Sequence, residues 1–278
     1  MRTTSIGVIL SGAGSLDGAE IQESVLVLLA LSRHGSTVKI YAPDMRFAEI
    51  NHVTRLASGV ERNARIEAAR IARSDVNDLA HAQGTDHEGW ILPGGQGAAK
   101  NLSDFASKGA SGSVNRELSR VIREAFAARI PVGACGVAPA VLALIGKASS
   151  TKLKLTIGND QETARLLSSM GHVHIDAAVT ATVVDTERKV VTTPAYMYEH
   201  VGLSDVQVGI DKLVDQVVAW SQDELSAPRP SPRTPRRRPR SSRCPRAAST
   251  RWPGPGCTPP TPAGATSPKT TAARSPSC

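Results

Sequence analysis

Pro131-Val-Gly-Ala-Cys-Gly-Val-Ala-Pro139 is the stretch on which the fold turns. The apolar run 131–134 predicts a short buried strand, and residues 138–145 predict a helix directly after it. Cys135 stands between them among small residues. Small neighbours let the backbone bend sharply and hold a side chain over the strand ends, as in a nucleophile elbow. A thiol near a helix N-terminus also gains from the helix dipole, which favours thiolate. Taken by itself, such a cysteine is more often a buried small hydrophobe. The rest of the chain favours the nucleophile.

Outward from that stretch, strand and helix signals alternate. Residues 5–10 predict a first strand, followed by the loop Ser11-Gly-Ala-Gly-Ser-Leu-Asp-Gly18. Over 20–33, Ile21, Val25, Leu28, Leu29 and Leu31 recur at helical spacing until His34-Gly35. Residues 37–42 predict a second strand. Strand, helix and strand in about 30 residues argue for a parallel sheet with crossover helices. A helix is expected over 63–73, with Ile66 and Ile71 inward and Arg62, Arg65, Arg70 and Arg73 on a solvated side. Residues 89–92 predict a third core strand that ends in Pro93-Gly-Gly-Gln-Gly97. A helix over 115–129 leads into the Cys135 strand. Further on come a strand over 153–157, a helix over 162–170 stopped by Gly171, and a β-hairpin from 179–184 and 189–193. Ser204 is expected to cap a last helix whose apolar face is Val208, Ile210, Leu213, Val214, Val217 and Val218.

Charge divides the chain in two. Residues 226–278 hold ten Arg, one Lys and no acid, and 13 of the 18 prolines. The first 225 residues are mildly acidic, with 22 basic against 25 acidic side chains. The expected organisation is a folded domain over 1–225 and a disordered Pro/Arg/Ser-rich tail over 226–278, too poor in large apolar residues to offset its ordering entropy. The abrupt change suggests an accidental or lineage-specific extension. Nucleic acid is expected to bind only non-specifically, through that tail. Three of the four cysteines lie in it, so the domain holds Cys135 alone and no internal disulfide. A single thiol fits a reducing setting. With no signal peptide and no apolar run near the roughly 18 residues of a membrane span, a cytoplasmic protein with no membrane partner is expected.

In a parallel α/β sheet, sites form at the carboxyl ends of the strands. Glu20 and Glu23 of the first helix, Gly94-Gly95 and Cys135 should meet there. A carboxyl group near a thiol can take or return its proton, and the Gly95 and Gly136 N–H groups can point at a developing oxyanion. Read singly, Glu20 and Glu23 are acids that a first helical turn favours anyway.

Val8-Ile-Leu-Ser-Gly12, Asp17-Gly-Ala-Glu-Ile-Gln-Glu-Ser-Val25, Leu92-Pro-Gly-Gly-Gln-Gly-Ala-Ala-Lys-Asn-Leu102, Cys135-Gly-Val-Ala-Pro-Ala140, Leu155-Thr-Ile-Gly158 and Val190-Val-Thr-Thr-Pro-Ala-Tyr-Met197 together resemble the ElbB-type glyoxalase family. That family sits in the PfpI/ThiJ superfamily of class I glutamine amidotransferase-like folds. The resemblance runs from about residue 5 to 220. It implies an α/β fold, a flavodoxin-like three-layer α/β/α sandwich with a mainly parallel sheet. It also implies cofactor-independent conversion of glyoxal and other small 2-oxoaldehydes to glycolate-type hydroxy acids, in a homodimer. Cys135 matches the family nucleophile, Glu23 the glutamate that contacts it, and Gly95 and Gly136 the oxyanion positions. Two departures stand out. Gly136 and Val137 follow the cysteine where many superfamily members carry a histidine, and Ala13 stands where a second cysteine is usual. Glu20 and His174 remain secondary candidates. His172 and His200 are the other histidines that a distant segment could supply.

Rival readings lack parts. A glutaminase needs a late Pro-x-His-x-Glu-type segment, which Thr193-Pro-Ala-Tyr-Met197 is not. A dinucleotide fingerprint fails because Gly18 falls one residue late. No metal constellation is visible. The alternative outside enzymes is a stress or redox sensor, or a binding protein, built on Cys135. Truncation after Leu225 is expected to leave the melting temperature and glyoxal turnover unchanged. A loss of either would show that the tail belongs to the working protein.

Overall fold

The computed structural model describes residues 3–226; of the tail expected over 226–278 only Ser226 is described, at the end of the last helix, and the rest lies outside the described residues. The chain opens with β1 (Ser5–Ile9), α1 (Ile21–Arg33), β2 (Thr37–Ala42), β3 (Arg46–Ile50), β4 (Ala57–Asn63), α2 (Ala64–Ala72) and β5 (Asn77–Asp78). It continues through β6 (Gly89–Leu92), α3 (Gln96–Lys100), α4 (Phe105–Lys108), α5 (Arg116–Ala127), β7 (Val132–Cys135) and α6 (Ala138–Ala148). Then come β8 (Lys154–Leu155), α7 (Gln161–Ser169), β9 (Val173–His174), β10 (Val183–Asp185), β11 (Val190–Thr193) and α8 (Leu203–Ser226).

One sheet runs in the order β10-β11-β7-β6-β1-β2-β5. Its pairs are parallel except the β10–β11 hairpin. The chain leaves β1 toward β2 on one side and later returns to β6 on the other. The strand order therefore reverses beside β1, which opens a crevice over the carboxyl ends there. Alternate strand residues face opposite layers. Val132 and Ala134 pack with α5 and α6, whereas Cys135 packs with α1 and α8. Gly133 lets α8 close on the sheet, since a Cβ there would lie 2.7 Å from Leu213 Cδ2. This is the expected flavodoxin-like α/β/α sandwich, with α1, α2 and α8 on one face and α3, α5 and α6 on the other.

Several local expectations change. Ile21, Val25 and Leu29 of α1 are exposed, and Glu23, Ser24, Leu26, Val27, Ala30 and Leu31 are buried instead. The helix is apolar nearly all round, so spacing does not select the inward side. Ile66 is also exposed, because α2 turns Ala64, Glu67 and Ala68 to the core. The expected strand over 153–157 shrinks to β8, which pairs with β9 outside the main sheet. The hairpin forms, but β10 begins only at Val183. α8 starts at Leu203, which puts Ser204 inside it, and Val208 is exposed.

The β3–β4 hairpin was not foreseen, and it changes the role of Arg62. The Arg62 guanidinium is 2.6 Å from Asp17 Oδ2, 2.8 Å from Glu67 Oε2 and 3.3 Å from Glu49 Oε2. It also lies over the Phe47 ring, 5.1 Å from the centroid. Asp17 is buried and accepts from the Ile50 N–H as well, so the cluster pins the glycine-rich loop after β1 to the hairpin. A buried ion pair that loses one partner leaves an uncompensated charge. Arg62→Ala is expected to destabilise the fold by roughly 3 kcal/mol in urea unfolding; an effect below 0.5 kcal/mol would mean that the cluster is solvated.

Candidate active site

Four chain segments meet above the carboxyl ends of β1, β6, β7 and β11. Glu20 caps α1, its carboxylate accepting from the Glu23 N–H at 2.6 Å, and its own N–H donates to Gly94 O at 3.0 Å. These bonds fix the first turn of α1 over the end of β6. Glu23 consequently points into the sheet and is buried. Its Oε2 accepts from the Gly94 N–H at 2.8 Å and from the Cys135 thiol at 3.4 Å. Its Oε1 accepts from the Tyr196 N–H at 3.2 Å. Ala195, which has φ 45, turns the chain after β11 so that this amide reaches the carboxyl. The Tyr196 hydroxyl donates to the Gln22 side chain.

The glycines make room for that carboxyl. A Cβ on Gly94 would meet Glu23 Oε2 at 2.7 Å, and one on Gly136 would meet Glu23 Oε1 at 2.8 Å. Gly136, at φ 60, is the left-handed residue of the strand-to-helix turn. Cys135 itself is the last residue of β7, paired with Thr193. The expected elbow, with the cysteine at its apex, is thus displaced by one residue.

Electrostatics correct the expectation of a resting thiolate. Cys135 is fully buried. Burial, then the facing Glu23, push its thiol well above the ordinary range; only the Gly94 amide works against them. Burial and the neighbouring Glu20 push the Glu23 carboxyl up to about 7, and the Tyr196 and Gly94 amides oppose this. Burial also raises Glu20. The proton therefore rests on sulfur, against a carboxyl poised to take it near neutral pH.

A cleft of about 100 Å³ opens beside this pair, lined by Ser15, Glu20, Glu23, Gly95, Gln96, Gly136, Val137, Tyr196 and Met197. Gly95, at φ 90, leads into α3 and lies on the cleft wall. The Gly136 N–H does not serve as expected. It donates to Thr193 O at 3.2 Å, extending the β7–β11 ladder. The histidines stay away from the thiol. His172 accepts from the Leu153 N–H at 3.2 Å and donates to Ala143 O at 2.7 Å. His174 accepts from the Ile157 N–H and faces Asp176 at 3.4 Å. His200 is exposed. Tyr196 and the Gly94 amide were missed as carboxyl-holding groups. Both lie in quoted motifs, but a backbone N–H leaves no mark on residue identity. Among the described residues no group of three or more His, Cys, Asp or Glu could hold a metal ion. Among them too, no helix is long and apolar enough to cross a membrane.

No family model matches the chain. The ES1 protein homolog, mitochondrial, of Rattus norvegicus is 39% identical over 224 residues, covering 77% of this chain and 82% of that protein. The glutamine amidotransferase-like class 1 domain-containing protein 3, mitochondrial, of Homo sapiens is likewise 39% identical over 224 residues, with 77% and 82% covered. Among solved structures, an isoprenoid biosynthesis protein with an amidotransferase-like domain from Ehrlichia chaffeensis superposes with a TM-score of 0.73 at 33% identity. That match covers 78% of this chain and 99% of the other.

A carboxyl raised on folding from 4.5 to about 7 adds stability that is complete below about pH 4.5 and is lost as the pH rises through 7. Glu23→Gln removes this titration. Relative to wild type, the variant's unfolding free energy is expected to rise by about 2 kcal/mol between pH 5 and pH 8. A flat difference across that range would place the carboxyl in water.

Proposed function

The chain belongs to the class I glutamine amidotransferase-like family, and we propose that it is a cofactor-independent glyoxalase of the PfpI/ThiJ type acting on glyoxal and other small 2-oxoaldehydes. The carrying observation is the 3.4 Å contact between the Cys135 thiol and a Glu23 carboxyl that titrates at about 7. A general base works best when its pKa lies near the working pH. Cleft size supports the substrate class. The cleft, about 100 Å³ and walled by Glu20, Glu23, Gly95 and Tyr196, suits a two- or three-carbon dicarbonyl.

In the proposed sequence, Glu23 takes the thiol proton as sulfur bonds to one aldehyde carbon and returns it to the oxygen, which gives a neutral hemithioacetal and leaves the carboxylate free. The Gly95 backbone at the cleft wall faces the oxygen that becomes negative. Glu23 then moves the proton from the sulfur-bearing carbon to its neighbour through an enediol. The first carbon is oxidised to a thioester and the second reduced to a hydroxymethyl group. Water cleaves the thioester, releasing glycolate and restoring the thiol. Glyoxal plus water thus balances glycolic acid without an external redox partner. Because sulfur has no exposed surface, this reaction sequence requires the cleft wall to shift as the aldehyde enters.

The sensor alternative is weaker. Redox-sensing cysteines are accessible and low in pKa, and Cys135 is buried with its pKa raised. A reducing compartment, cytoplasmic or otherwise, completes the reading. A homodimer is also proposed, supported by the exposed Ile21, Val25 and Leu29 stripe of α1 and read directly by sedimentation velocity. Cys135→Ala is expected to abolish glyoxal-to-glycolate turnover while the melting temperature holds within a few degrees. Phenylglyoxal, bulkier than a two- or three-carbon dicarbonyl, is expected to react at least about tenfold more slowly than glyoxal in kcat/KM. Turnover by the alanine variant would remove Cys135 from the mechanism.

A further inference from the structure

A second cavity of about 320 Å³ lies at the opposite end of β7 from Cys135, where the Val132 N–H donates to Lys189 O. Its volume falls within the roughly 300–1,000 Å³ of small-molecule sites. Three loops build it. Arg123, Phe126 and Arg129 come from α5 and the turn after it, Ser149 and Thr151 from the end of α6, and Glu187 and Arg188 from the β10–β11 turn.

Most described arginines sit against an acid, from Arg33 with Asp211 to Arg120 with Glu117 and Glu124. Arg55, Arg73, Arg123, Arg129 and Arg165 are the described arginines without an acidic partner among the described residues, and two of these five line this one cavity. Arg188 meets Glu187 at 3.1 Å. Three guanidiniums less one carboxylate leave two positive charges facing a concave wall.

The backbone carries a second, independent sign. Arg129, Ser150 and Lys189 have φ of 59, 53 and 53, and each belongs to one of the three loops. Arg129 and Ser150 stand just past a helix end, and Lys189 closes a hairpin turn. Glycine is the default residue in such places because it bears no Cβ penalty. Non-glycine residues in the left-handed region concentrate at functional sites. Arg73 takes the same conformation just past α2, but only at this cavity do three such residues from three separate loops come together.

We infer that this cavity binds a small phosphorylated molecule. A phosphate monoester above its second pKa, about 6, carries nearly two negative charges. Planar guanidiniums match its oxygens in pairs. The Thr151 hydroxyl accepts from Ser149 Oγ at 3.2 Å and donates only a long 3.4 Å bond to Ser149 O, a donor bond that a phosphate oxygen can replace. Phe126 gives an apolar wall to the organic part, for which a cavity much larger than phosphate leaves room.

Calorimetric titration of the full-length protein with AMP, inorganic phosphate and adenosine tests this. Saturable one-to-one AMP binding is expected, several-fold weaker at pH 5.5 than at pH 7.5, with phosphate weaker than AMP and no binding of adenosine. Arg123→Ala is expected to weaken AMP by about tenfold or more. Arg129→Gly is expected to do the same while raising the melting temperature, since glycine relieves the left-handed strain. Absence of saturable binding by both anions overturns the inference. So does wild-type affinity in the Arg123→Ala/Arg129→Ala double variant, which keeps every tail arginine and exposes binding by the tail alone. Arg129→Gly that leaves affinity unchanged overturns it as well.

Discussion

A single carboxyl held out of water, between two amides and a thiol, organises this protein. Glu23 receives the Gly94 N–H after β6, the Tyr196 N–H after β11 and the Cys135 thiol at the end of β7. Its own helix is anchored by Glu20, whose negative charge opposes ionisation of Glu23. Burial without partners would cost several kcal/mol. Two amide donors offset part of that cost and leave the proton balanced near neutrality. The same bonds that settle the carboxyl also tie four segments of chain into one wall, so the chemistry and the packing share their contacts.

Space around the carboxyl is as constrained as its charge. Gly94 and Gly136 lack side chains where a methyl group would collide with the two carboxyl oxygens. On the other side, the Arg62 cluster draws the loop after β1 against the β3–β4 hairpin and so holds Ser15 at the cleft. The hairpin buries little of its apolar content, since Val53, Leu56 and Val60 are exposed, and its place depends on these ionic contacts and on Phe47.

The fold and the identity of the pair were legible in the sequence because both leave residue-level marks. Short apolar runs broken by glycine give the strands, and a domain with one cysteine gives one candidate nucleophile. The membership supported by the rat and human relatives agrees with the motifs that suggested it. What stayed hidden depends on three-dimensional placement. The inward side of α1 is chosen by Glu23 and Ser24, which are polar, against an apolar stripe that faces out. The β3–β4 pair reads as polar loop because charges hold it. Thiolate character was inferred from a helix end nearby, yet burial and an opposing acid outweigh a dipole. The Gly136 amide was assigned to an oxyanion, but the sheet continues one rung further and takes it.

Cys135 shares its layer with α1 because it falls two positions after Gly133, while Val132 and Ala134 face the other side. Side chains on a strand alternate with a period of two, so the parity of this short segment sets which helical layer the sulfur meets. A one-residue insertion or deletion within β7 would preserve an apolar strand and still turn the thiol toward α6, where no carboxyl awaits it. Lineages that drift in the length of this segment can therefore keep the sandwich and lose the proton relay in one step, and only a second odd change restores it.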